Sequence, residues 1–144
     1  MDATTFRIKT PCLTGGRSHT PLARTETAVV GLNYYAPGRK NTLHTHPGED
    51  HAFVVLDGEA TFYDKGGNAT VLKKGEGIML PEGWYYWFQS TGEQSLALLR
   101  FTAYKGNRPK VKRVDVQGRN REDDEQDYIN VDGEVIKGRF WELS

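Results

Sequence analysis

The feature that most restricts the fold of this chain is a series of short β-branched and aromatic segments separated by glycine-containing turns. Helix-period patterns are almost absent, and the segments recur every eight to twelve residues or so. Such spacing is typical of a β-sandwich or a closed β-barrel. The dipeptide Asp57-Gly58 lies between two of these segments and predicts a hairpin turn. The predicted strands cover residues 28–35, 52–56, 59–63, 71–72, 78–80, 84–89 and 95–104.

A length of 144 residues is that of one domain, and its two ends differ from the strand-rich centre. Residues 1–27 contain prolines and a Gly-Gly pair, which predict an N-terminal arm with one or two edge strands at most. Residues 28–104 form the predicted barrel. Residues 105–144 begin with a heavily charged stretch, residues 105–127, whose run at 119–125 is read as a solvated loop. They end with a hairpin around Asp132-Gly133. We expect this tail to pack on the barrel or on a partner subunit.

Charge and composition exclude several classes of partner. The chain has 19 basic and 19 acidic side chains and a pI near 6.9, which argues against binding nucleic acid through its phosphates. A single cysteine, Cys12, excludes an internal disulfide framework and a cysteine-based zinc site. No apolar run approaches the ~18 residues of a membrane span, and the first residues do not resemble a signal peptide. We therefore expect a cytoplasmic protein that does not bind membranes.

Three of the four histidines, His44, His46 and His51, fall within eight residues. Residues two apart on a strand share a face, so the imidazoles of His44 and His46 converge, and His51 at the start of the next strand can join them. Neutral imidazoles are ligands for divalent transition metals. Glu49 has the parity of His51 and is a possible further ligand or outer group. His19, in the arm, is assigned a structural or surface role.

Two motifs at matching spacing resemble those of the cupins. The first runs Gly38-(five)-His44-Thr45-His46-(four)-His51-(six)-Gly58, and the second runs Gly75-(five)-Pro81-Glu82-Gly83-(two)-Tyr86-(three)-Ser90. The resemblance covers about residues 28–104. It implies an all-β double-stranded β-helix, the jelly-roll barrel of small single-domain cupins.

The chain departs from the family's usual three-histidine, one-glutamate ligand set at two places. His51 stands at the glutamate position of the first motif, and Tyr86 stands at the histidine position of the second. The resemblance therefore implies a metal held by His44, His46 and His51. Because the usual pKa of tyrosine is about 10, Tyr86 is assigned to substrate or metal-bound water in preference to a direct bond. Iron(II) is favoured, with zinc, nickel, manganese and copper as alternatives.

Strand parity also predicts which side chains line the pocket. The set on the metal side is Phe53, Val55, Trp84, Tyr86 and Phe88, and one of Tyr34 and Tyr35 joins it, Tyr34 being retained as the candidate. On the last strand, we expect Ala97, Leu99 and Phe101 to point inward, because this set is the more apolar. In the alternative register Arg100 points inward and becomes an anchor for an anionic group.

These residues lead to three hypotheses for function. The first is a metal-dependent dioxygenase acting on a small anionic or enolisable carbonyl substrate, with Tyr86 and Glu49 as catalytic groups. The second is a redox-neutral lyase or isomerase acting on a carboxylate or sugar acid, in which the metal is a Lewis acid. The third is a non-catalytic module that binds a small molecule. In each case we expect a homodimer, since the apolar residues of the tail need a surface to cover.

Overall fold

The structure, a computed structural model, describes residues 1–106, 114–115 and 130–144, and every regular element among them is a strand. No helix in this described part of the chain could cross a membrane. The strands are β1 (Lys9–Arg24), β2 (Ala28–Tyr35), β3 (His44–Thr45), β4 (Glu49–Asp57), β5 (Glu59–Asp64), β6 (Ala69–Lys73), β7 (Gly77–Leu80), β8 (Tyr86–Ser90), β9 (Leu96–Tyr104), β10 (Val114–Asp115) and β11 (Asn130–Glu142).

The strands form two antiparallel sheets. The larger has the order β11-β1-β2-β9-β4-β7, and the smaller has the order β10-β3-β8-β5-β6. From β6 to β9 the chain changes sheet at every connection. This alternation is that of a jelly roll and confirms the predicted all-β double-stranded β-helix. The two sheets face each other, so each strand has an inner and an outer face.

Alternation along β4 shows how the sequence sets these faces. Glu49, His51, Phe53 and Val55 are buried, whereas Val54 is 38 % exposed. Side chains that are paired directly across an antiparallel sheet lie on the same face. The register of β4 with its neighbours therefore assigns an inner face to every strand of the larger sheet.

The hairpin predicted at Asp57-Gly58 is wrong. β4 pairs with β7 and β9 in the larger sheet, whereas β5 pairs with β6 and β8 in the smaller one. The dipeptide is therefore a corner where the chain changes sheet. Asp-Gly suits any tight turn that needs a positive φ, and Gly58 has a φ of 79°. The local sequence cannot distinguish a corner from a hairpin, because the distinction depends on the partners of the flanking strands.

The main hydrophobic core fills one end of the barrel. Phe53 and Phe88 are each 1 % exposed, and Val55 and Leu98 are fully buried. Burying a phenylalanine side chain contributes about 1.5–3 kcal/mol to stability. Further along the same inner face, apolar side chains give way to the polar residues of the histidine cluster.

The two ends of the chain pair with each other, contrary to the prediction of an arm and a hairpin. β1 lies inside the larger sheet, and β11 pairs as one strand with residues 9–19 of it, with register shifts around Leu13. Asp132-Gly133 lies within β11, opposite Gly16. A Cβ on Gly16 would overlap the carbonyl group of Asp132, so these backbones approach as only glycine allows. The predicted loop at 119–125 and residues 128–129 of the hairpin lie outside the described residues.

The outer face of the larger sheet carries a second, smaller apolar cluster where β1 and β11 meet the barrel. Tyr34 packs against Trp141, with 6.3 Å between ring centroids. The Trp141 indole N–H donates a hydrogen bond to Asp57 over 3.0 Å. The tail therefore covers apolar surface of its own chain, one of the two surfaces expected from the sequence.

Candidate metal centre

The start of β4 and the segment just before it bring three ligand-type side chains together. Glu49 and His51 are two residues apart on β4 and point inward, and His46 lies just before the tight turn at Pro47-Gly48. The exposed fractions of His46, Glu49 and His51 are 5 %, 1 % and 2 %. Such groups are almost never fully enclosed unless they are paired or coordinate a metal.

The three side chains are in direct contact. His51 Nε2 lies 2.7 Å from Glu49 Oε2, and His46 Nδ1 lies 3.4 Å from the same oxygen. One ligand atom from each of the three residues lies within 4.8 Å of those of the other two. A carboxylate between two imidazoles is a compact donor set of a kind that holds divalent transition metals.

His44 lies beside this set. Its ring centroid is 4.9 Å from that of His46, and the side chain is 2 % exposed. His44 Nδ1 lies 2.6 Å from the carbonyl oxygen of Thr42, to which it donates a hydrogen bond. Nε2 is therefore the ring nitrogen that is left to bind a metal. A hydrogen bond of this kind fixes the ring orientation of metal-ligating histidines.

The protonation of His51 suits a ligand. Burial, followed by the charges of Arg100 and His44, holds the pKa of His51 well below its usual 6.5, so the imidazole is neutral. His51 Nε2 faces Glu49 Oε2, so a metal bound between them would take the Nε2 lone pair and leave the ring proton on Nδ1. A neutral imidazole, a carboxylate and a second imidazole with ligand atoms within 4.8 Å of one another fit a divalent transition metal.

Glu49, for which the sequence left open a role as a further ligand, lies at the start of β4. Its side chain therefore shares the inner face of His51, as its parity predicted. Together with His44 and His46, the side chains supply three histidines and one glutamate. These are the residue types of the family's usual ligand set, now all within residues 44–51.

Tyr86 is buried next to the histidines and also belongs to the core. It pairs with His44 across β3 and β8, with 4.4 Å between the ring centroids. It also stacks on Phe62, with 6.0 Å between the ring centroids and an interplanar angle of 25°. The position fits both the proposed contact with substrate and the role of a core aromatic.

Parity places four of the predicted pocket residues correctly and two wrongly. The four on the inner face are Phe53, Val55, Tyr86 and Phe88. Trp84 is 47 % exposed, because it precedes β8 and strand alternation does not apply to it. Tyr34 faces outward in the second apolar cluster, and its neighbour Tyr35 is the inward-facing tyrosine.

The favoured register of the last strand is also wrong. Arg100 pairs directly with Phe53, so it points inward together with Thr102, whereas Phe101 is 44 % exposed. The apolar set Ala97, Leu99 and Phe101 faces outward. Apolar residues occur on both faces of β9 because the outer face is partly covered by the chain ends, while the inner face carries polar groups near the histidines. Hydrophobicity alone therefore selected the wrong face.

Comparison with known proteins agrees with this architecture. Residues 31–101 match the family model described as a cupin domain, and this part of the chain is a cupin domain. A Klebsiella pneumoniae protein with a double-stranded β-helix domain is similar at 22 % identity and a TM-score of 0.60, over 66 % of this chain and 83 % of that one. No curated protein matches the sequence significantly.

Two further structures show the same fold. The cupin domain of Schizosaccharomyces pombe Cnp3 is similar at 18 % identity and a TM-score of 0.60, over 65 % of this chain and 69 % of that one. Oxalate oxidase in complex with the substrate analogue glycolate is similar at 20 % identity and a TM-score of 0.58, over 72 % of this chain and 56 % of that one. Identities this low relate the folds only.

Proposed function

We propose that this cupin domain belongs to a metal-dependent enzyme that acts on a small anionic or enolisable carbonyl substrate, with dioxygen as the second substrate. The observation that carries the proposal is the enclosed contact of Glu49 with His46 and His51. Burying such a cluster without a metal would destabilise the fold, because the enclosed polar groups lose their hydration. A bound metal would offset that loss.

The proposed metal is iron(II), with zinc, nickel, manganese or copper as alternatives, because imidazole nitrogen suits all of them. His46, Glu49 and His51 would hold it, with His44 as the fourth candidate ligand. When bound, such a metal supplies Lewis acidity and, in the case of iron, a site where dioxygen can be reduced. One carboxylate offsets only half of a divalent charge, which favours an anionic substrate.

Two side chains are assigned to the substrate. Tyr86, next to His44, is proposed to orient it through its hydroxyl group. Arg100 is buried, points inward and is proposed to bind an anionic oxygen. Oxalate oxidase, which shares the fold, was crystallised with glycolate, a small carboxylate, and this supports the substrate class. Glu49, which the sequence suggested as an acid–base group, is better suited to hold the metal because it is enclosed between two imidazoles.

The test is to purify the untagged protein without added metal, measure its metal content, and follow oxygen uptake with β-dicarbonyls, thiols and small carboxylic acids. Iron together with substrate-dependent uptake is the expected result. Zinc or nickel with turnover of a carbonyl acid and no oxygen uptake would replace the proposal with a redox-neutral lyase or isomerase. Protein that binds no divalent metal would exclude both and leave a non-catalytic binding module.

We further propose that the working form is a cytoplasmic homodimer. On the outer face of the larger sheet, Phe101, Ala52 and Met79 pair in one row across β9, β4 and β7. Phe101 is 44 % exposed and Met79 is 67 % exposed. An apolar row of this kind is suited to burial against a second copy.

A further inference from the structure

His19, which the sequence assigned to a structural or surface role, reaches across the inner face of the larger sheet. It lies on β1 opposite Asn33, and its imidazole rests over Gly31 on β2. A Cβ at Gly31 would collide with His19 Nε2. Gly31 is also the direct partner of Arg100 on β9. Glycine at this position therefore leaves the space through which the His19 ring contacts Arg100.

The contact between these residues fixes the tautomer of His19. Arg100 Nη2 donates a hydrogen bond to His19 Nε2 over 3.1 Å, since a guanidinium can only donate. The proton of the neutral ring is then on Nδ1. Nδ1 is enclosed and has no hydrogen-bond partner in the part of the chain that the structure describes. It is a buried donor for which this part of the chain supplies no acceptor.

The surroundings of His19 are strongly cationic. Burial lowers the pKa of His19 well below its usual 6.5, and the charges of Arg100, Arg17 and Arg24 lower it further. Among the described residues, Glu49 is the only buried carboxylate. The charges of three guanidinium groups and one carboxylate sum to a net positive charge in this region. Contacts among these groups do not change that sum.

This region adjoins the candidate metal centre. The charge of Arg100 also lowers the pKa of His51. Thr102, two residues beyond Arg100 on the same face, is the direct partner of His51. Thr102 Oγ1 is buried and has no hydrogen-bond partner among the described residues. Donors therefore extend from His19 through Arg100 to Thr102, beside the histidines.

We propose that Arg100, Thr102 and His19 form a subsite for a carboxylate or phosphate group of the substrate, next to the metal. Arg100 and Thr102 donate to the anionic oxygens. His19 is a positioning residue whose Nε2 accepts from Arg100 and holds the guanidinium in place. The subsite deepens the proposed function and rests on it for the neighbouring metal. A substrate with one group on the metal and a second, anionic group on Arg100 follows from this arrangement.

The test uses the full chain after treatment with a chelator, so that an anion cannot bind to the metal. Malonate and inorganic phosphate are titrated separately by calorimetry, and the tighter of the two identifies the chemistry of the group. Arg100→Met should weaken binding about tenfold or more, the usual effect of losing a hydrogen bond to a charged group. Arg139→Met, at an exposed position on β11, removes the same charge and should leave binding unchanged.

The role of His19 is tested by rescue. His19→Leu removes the acceptor that holds Arg100 and should weaken binding severalfold, whereas His19→Gln retains an acceptor in its Oε1 and should restore binding. Gly31→Ala removes no charge or donor but displaces the His19 ring, so it should weaken binding as His19→Leu does. This last variant remains informative if Arg100→Met does not fold.

Absence of binding by both anions, or equal affinities of Arg100→Met and Arg139→Met, would overturn the inference. Metal content, measured in parallel, separates this result from the proposed function. Protein that takes up metal but has no Arg100-dependent anion binding retains the metal centre and loses the subsite. Protein that binds the anion through Arg100 but takes up no metal retains the subsite and loses the enzymatic proposal.

Discussion

His51 Nε2 and Glu49 Oε2 lie 2.7 Å apart in a part of the barrel where each side chain is at most 2 % exposed. Glu49 and His51 are the first and third residues of β4, so their side chains lie on the same face of the strand. In a metal-free protein this contact is a charge-assisted hydrogen bond. When a metal binds, the same two groups would supply ligand atoms to it.

Glu49→Gln should lower the affinity for a divalent transition metal at least about tenfold, because it removes the negative charge and leaves an amide, a poor ligand, in its place. Metal content after dialysis at a fixed free-metal concentration measures the effect. The matched control is Asp50→Asn on the opposite face, where the carboxylate contacts Lys105 at 3.5 Å. Equal metal content in the two variants would show that Glu49 is not a ligand.

The stability of the protein should depend on the protonation of His19. Its pKa is well below 6.5 in the folded protein and near 6.5 in the unfolded chain, so the unfolded state binds more protons as the pH falls through 6.5. The contribution is therefore fully present above pH 6.5 and is lost below it. Between about pH 7.5 and 5.5 the wild type should lose about 1 kcal/mol more than His19→Gln. Urea denaturation of both proteins at the two pH values measures this, and parallel losses would contradict it.

Phe88 and Trp84 should respond oppositely to truncation, although the sequence assigned them to the same face. Phe88 is 1 % exposed, so Phe88→Ala should cost about 3–5 kcal/mol of unfolding free energy. Trp84 is 47 % exposed, so Trp84→Ala should stay within about 1 kcal/mol of the wild type. Denaturation midpoints of the two variants make the comparison. A large loss in Trp84→Ala would mean that this indole is buried in solution.

The proposed dimer predicts that a charge on the outer row of the larger sheet separates the subunits. Phe101→Lys should shift the molar mass in solution from that of a dimer to that of a monomer, since an unpaired charge in an apolar interface is costly. Val71→Lys on β6 in the other sheet, where Val71 is 52 % exposed, is the control and should remain a dimer. Light scattering coupled to gel filtration reports the mass. A monomeric wild type would end this proposal.

Much of the fold was predictable because its signals are local. The strand predicted at residues 28–35 has the observed bounds of β2, and the inward face of His51, Phe53 and Val55 follows from alternation alone. The predicted jelly roll is confirmed. Signals of this kind require only neighbours in sequence.

The errors share a different cause, namely dependence on distant parts of the chain. Whether Asp57-Gly58 is a hairpin or a corner depends on which strands flank it in space. Arg100 points inward because it pairs with Phe53 on β4 and Gly31 on β2, and this register joins residues that are far apart in sequence. His19 and Arg100 are 81 residues apart in sequence, and their contact passes over Gly31. No local sequence pattern therefore predicts it.

The pairing of β1 with β11 has a consequence for the order of events during synthesis. Lys9 is paired with Glu142 and His19 with Asn130, so the outer edge of β1 has no strand beside it until almost the whole described chain has been made. The candidate ligands at residues 44–51 emerge from the ribosome long before that moment. The strand that carries His19 gains its second neighbour only after β11 has been released. If residues 44–51 bind a metal, the ion can therefore meet these side chains before the larger sheet is complete.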